Sequence, residues 1–165
     1  MIRSRLAREK AHNILNMFKI TKPPINVEQI ANMLGFKVVP FKFPDSVSGV
    51  IRTINQVKAI GVNNKHSKVR QKFTIAHELG HYLSGHENFS HEEKTFVDKD
   101  KKYMDPHWRQ EEEADEFAAE LLMPEFMLKN DVLVNKLDPT ALASKYEVSE
   151  QAMLIQLVNL KLINR

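Results

Sequence analysis

Apolar positions recur along this chain with two periods. Leu6, Ala11, Ile14, Leu15 and Phe18 fall at helical spacing and predict a helix over residues 4–19, broken by the Pro23-Pro24 pair. Asn26 is placed to cap a short helix, VEQIANML, that Gly35 ends. FKVVPF reads as a short strand, and its Pro40 argues for a sheet edge. In SGVIRTINQVKAIGV, β-branched runs flank Asn55-Gln56, the pattern of a hairpin. Helical periodicity then returns in KVRQKFTIAHELGHYLSG, with Ser67 as the cap and Gly85 as the stop. Residues 86–108 are polar and without period, and a loop of that length is often functional. WRQEEEADEFAAELLM predicts a strong helix ended by Pro124, followed by a short helix over 124–130. Asp138-Pro139 starts another helix, and Ser149 caps a last one through Leu160.

These elements predict an α+β domain, with a small antiparallel sheet of about three strands packed among helices. Residues 1–130 are expected to form the main domain, and residues 131–165 a helical C-terminal segment packed on it. LASKYEVSEQAMLIQLVNLKL has the spacing of a helix-turn-helix, with Glu147 where the turn usually has Gly. Its second helix, EQAMLIQLVNL, carries no Arg or Lys before Lys161, whereas a DNA reader needs basic phosphate contacts. Direct DNA binding is therefore not expected, and the segment reads as packing or as a docking surface for substrate.

The composition narrows the chemistry. The chain of 165 residues has no cysteine, which excludes disulfides, thiolate zinc sites and a Cys nucleophile. No apolar run approaches the roughly 20 residues of a membrane span. The basic N-terminal stretch lacks the continuous apolar core of a secretory signal, so a cytoplasmic location is expected. The net charge of +3 is unevenly spread. Residues 1–80 carry 14 Lys and Arg against 4 Asp and Glu, and residues 81–165 carry 10 against 17. That asymmetry is compatible with a mixed surface once the halves fold together.

The run FTIAHELGHYL is the chemical focus. His77 and His81 are four residues apart, so on a helix of about 3.6 residues per turn they share a face and can chelate one cation, as zinc prefers. Glu78, offset from that face, can move a proton of the zinc-activated water. The apolar neighbours Phe73, Ile75, Ala76, Leu79 and Leu83 predict a buried helix, where a carboxylate needs a purpose. A catalytic zinc takes a third protein ligand. The pattern with a third His fails, because Ser84 and Glu87 occupy its Gly and His places. A Glu on a separate helix is the other option, and EEEADEFAAELL supplies one. If Glu111 is that ligand, Asp115, four residues on, is placed to accept a hydrogen bond from a ligand imidazole. Taken alone, Glu111, Glu112 and Glu113 would be ordinary acids at a helix N-terminus.

RQKFTIAHELGHYL followed by EEEADEFAAELLMP resembles the ImmA/IrrE zinc metallopeptidases of bacteria and their mobile elements. SGVI before these motifs and the helical C-terminal segment after them also fit. The resemblance implies one zinc per chain held by His77, His81 and Glu111, with Glu78 as the catalytic acid and base. It further implies an endopeptidase that cuts a helix-turn-helix repressor and so releases genes of a prophage, another mobile element or a stress response. Many members have a His four residues after the second zinc His, whereas this chain has Gly85 there and His86 next. His86, His91, Tyr103 and His107 lie in or near the polar loop and are candidates for stabilising the oxyanion of peptide hydrolysis. The alternative is a non-catalytic, metal-containing regulator that binds a repressor or DNA; an intact Glu78 argues against it.

Overall fold

The computed structural model describes the backbone of residues 2–86 and 106–163, and the side chains of 5–86 and 107–163. Helix α1 (Ile2–Met17) leads into α2 (Val27–Met33), where the Asn26 side chain accepts from Gln29 N at 3.0 Å as the cap. Strands β1 (Phe36–Phe41), β2 (Gly49–Ile54) and β3 (Val57–Asn63) follow. Next come α3 (Lys68–Leu83) and, after the undescribed residues, α4 (Pro106–Leu122). Helices α5 (Glu125–Leu133), α6 (Pro139–Tyr146) and α7 (Glu150–Asn159) complete the order. The caps expected at Ser67, Asp138 and Ser149 accept from Arg70 N, Ala141 N and Ala152 N.

The sheet differs from the expected antiparallel one. Its order is β1-β3-β2, with β2 antiparallel to β3 and β1 parallel to it. The hairpin is as anticipated: Asn55 and Gln56 both take positive φ, 48° and 66°, the two-residue geometry that matches strand twist. Pro40 lies on β1, an edge strand, where a missing N–H is tolerated. The hairpin occupies one side of β3, so β1 takes its other side. Buried Asn63 fixes the 43–48 connection between them. Its side-chain amide donates to the carbonyls of Pro44 and Val47 at 3.0 and 2.8 Å, and its own N–H donates to Ser48 O at 2.8 Å.

The sheet lays Phe36, Ile60 and Val62 into a single apolar cluster with Leu15 of α1, Ile30 of α2, Leu79 of α3 and Phe117 of α4. Leu142, Tyr146, Met153 and Leu157 of α6 and α7 join the same cluster. Glu147, where a turn Gly would be usual, takes the left-handed conformation at φ 55° and ends α6. Lys72 of α3 reaches this turn, donating to Tyr146 O at 3.0 Å. The exposed residues of α7 include Gln151, Leu154, Ile155 and Asn159, none of them basic. None of the described helices is long and apolar enough to cross a membrane.

Candidate metal centre

Two close approaches bring the chemistry together. Helix α3 meets β2 at Gly49, where a Cβ would lie 2.5 Å from Thr74 Cγ2 and 3.7 Å from Glu78 Cγ. Glycine there leaves room for the Glu78 side chain beneath the strand. Helix α3 meets α4 at Gly80, whose Cβ would sit 3.0 Å from Phe117 Cδ1 and 3.1 Å from Ala114 Cα. With so little between the helix backbones, the polar residues one turn either way face each other.

His77 and His81 of α3 and Glu111 of α4 form the resulting cluster, each offering one ligand atom within 4.8 Å of the others. The two Nε2 atoms are 2.9 Å apart. Glu111 Oε2 lies 3.3 Å from His77 Nε2, and its Oε1 3.3 Å from His81 Nε2. His81 is fully buried and Glu78, also inside the fold, is 1% exposed. The Asp115 carboxylate lies 2.8 Å from His77 Nδ1, so Nδ1 carries a ring proton and Nε2 faces inward. Inward nitrogen lone pairs and carboxylate oxygens at these distances repel one another unless a proton or a metal cation neutralises them. The donor set of two imidazoles and one carboxylate is the kind that holds a divalent metal with a position to spare.

The electrostatics follow. Burial works against charging the His77 ring, but the carboxylates of Asp115 and Glu111 outweigh it and raise its pKa to about 10. For His86, burial and the neighbouring His81 ring push the pKa below the usual histidine value.

His86 turns its Nδ1 to His81 Nδ1 at 3.0 Å and its Nε2 to Glu113 Oε2 at 3.3 Å. It thus lies behind His81, away from the cluster. His107 Nδ1 stands 3.9 Å from Glu111 Oε1, on a partly exposed side chain. His91 and Tyr103 fall outside the described residues. Two participants were missed from sequence. Glu113 read as an ordinary acid at a helix N-terminus, and nothing in the sequence singled out Lys10; in the fold Lys10 Nζ lies 3.5 Å from Glu113 Oε1 and donates to Ser84 Oγ at 3.0 Å. The available signal was Gly85 directly before His86, a helix stop that folds the next residue back.

Comparison with known proteins is consistent with this geometry. A family of peptidases described as Peptidase_M78, IrrE N-terminal-like domain, matches residues 31–158. An uncharacterized immunity region protein 2 of Bacillus phage phi105 is 24% identical over 156 residues, covering 88% of this chain and 91% of the phage protein. A solved Mycobacterium tuberculosis transcriptional regulator has the same fold, with a TM-score of 0.66 at 16% identity over 92% of this chain. The chain spans 46% of that regulator's length.

Proposed function

The chain belongs to the IrrE N-terminal-like peptidase family, and from that membership and the cluster we propose that it is a zinc-dependent endopeptidase cleaving a helix-turn-helix repressor. The observation that carries the reading is the convergence of His77, His81 and Glu111 beside a buried Glu78. His77, His81 and Glu111 would hold one zinc ion, which suits imidazole ligands in a tetrahedral set. The metal would supply Lewis-acid activation of a water molecule and of the scissile carbonyl. Glu78 takes the proton of the attacking water as its oxygen bonds to the carbonyl carbon. It then gives that proton to the amide nitrogen as the C–N bond breaks, so that a carboxylate and an amine leave. Burial beside His77 keeps Glu78 in place and away from bulk water. Asp115 holds the His77 ring with its Nε2 inward. His107, 3.9 Å from Glu111 Oε1, would be the group that meets a developing oxyanion.

The repressor as substrate is supported by the names of the relatives, an immunity region protein and a transcriptional regulator. The exposed face of α7, mixed apolar and polar and without cations, favours a protein partner over DNA. The test is co-expression with the nearest encoded helix-turn-helix repressor, with mass spectrometry of the products. Discrete fragments that vanish when His77 is replaced by Ala are expected; an intact repressor alongside the zinc-loaded protein would contradict the reading.

A further inference from the structure

Helix α3 ends in a Schellman motif. Gly85, at φ 70°, donates its N–H to Tyr82 O at 3.1 Å, and His86 donates its N–H to His81 O at 3.0 Å. The residue after the glycine is thereby folded against the residue five before it. In this motif that contact is frequently apolar. Here it joins two imidazoles, His81 and His86, through their Nδ1 atoms.

Donor and acceptor roles along this contact run in one direction. For His81 to offer a lone pair at Nε2, its proton must sit on Nδ1. That N–H then needs an acceptor, so His86 Nδ1 is the unprotonated nitrogen and the His86 proton sits on Nε2. His86 Nε2 faces Glu113 Oε2 at 3.3 Å, an oxygen that only accepts when ionised. Lys10 Nζ lies 3.5 Å from the other Glu113 oxygen, an ion pair that orients the carboxylate towards His86. The side chains of His81, His86 and Glu113 are 0%, 7% and 11% exposed, so water competes little with these bonds.

We propose that Glu113, His86 and Lys10 are positioning residues that fix the tautomer and ring orientation of His81, as Asp115 does for His77. The inference rests on the reading of His81 as a metal ligand. It gives each ligand histidine its own carboxylate: Asp115 directly, and Glu113 through a second imidazole.

The test combines zinc affinity, measured by chelator competition, with histidine tautomers read from long-range nitrogen-15 NMR. His86→Ala and Glu113→Ala are expected to weaken zinc binding about 10–100-fold, the usual effect of losing such a support. Glu113→Gln, whose amide oxygen still accepts from His86, is expected to recover most of that loss. In the wild type, His81 is expected to carry its proton on Nδ1 and His86 on Nε2. Glu113→Ala should shift His86 towards the other tautomer, which lost packing alone would not do. Wild-type zinc affinity in both alanine variants, or a His86 proton on Nδ1 in the wild type, would overturn the proposal. A wild type that binds no zinc would instead overturn the peptidase reading, and the tautomers of the metal-free protein would still decide the relay.

Discussion

Glu111, Glu112 and Glu113 are consecutive in sequence and meet three environments. Glu111 turns into the cluster, Glu112 is exposed, and Glu113 is partly buried against His86 and Lys10. Substitution by Ala should therefore have graded effects on metal content after dialysis. Glu111→Ala should lose zinc, Glu112→Ala should keep it, and His77→Ala or His81→Ala should lose it, because two protein ligands hold zinc poorly. Wild-type zinc in any of the ligand variants would contradict the ligand set. The Glu111 and Asp115 placement was legible from their four-residue spacing on one helix. The role of Glu113 was not, because its neighbours come from α1 and from a residue beyond the end of α3, neither related to it by any helical period.

Among the elements, the α3–α4 crossing at Gly80 sets the distance between His81 and Glu111. Gly80→Ala would press a methyl on Phe117 and on the Ala114 backbone, so the helices must separate by some tenths of an ångström. A cost of about 1–3 kcal/mol is expected, together with weaker zinc binding. Unchanged affinity and melting temperature would show that the crossing has slack. A second element-scale feature is Asp131 at the end of α5. It is buried, accepts from Lys145, Asn135 and Tyr146 at 2.6, 2.7 and 2.9 Å, and ties α5 to α6. Burial alone would raise its pKa, but the bonds from Lys145, Asn135 and Tyr146 together hold it below the usual carboxylate value. Its contribution is thus present above about pH 4 and lost as acid drives the pH down through the lowered folded value. Asp131→Asn should cost about 1–3 kcal/mol at neutral pH, and the difference should shrink below about pH 4. A difference that is constant with pH would rule out ionisation as its source. At this scale the sequence was most readable where the signal is local: Asn26, Ser67, Asp138 and Ser149 each bond the amide three residues on. The parallel pairing of β1 was not readable, since strand periodicity marks a strand without naming its partner.

For the whole molecule, a metal held by α3 and α4 would be a cross-link at the centre of the fold. Free zinc about a thousandfold above its dissociation constant should add about 4 kcal/mol, and a chelator should lower the melting temperature by roughly 10 °C. His77→Ala should show no such shift. The proposed activity, however, is catalytic, and Glu78 separates holding a metal from using it. Glu78→Gln keeps size and shape and removes the proton acceptor. The most direct measurement is zinc content and repressor cleavage rate on one preparation of this variant beside the wild type. The expected result is about one zinc per chain in both, with cleavage lowered at least 10²–10⁴-fold in the variant, as general acid–base chemistry requires. A zinc-loaded Glu78→Gln that cleaves the repressor at the wild-type rate would contradict the account.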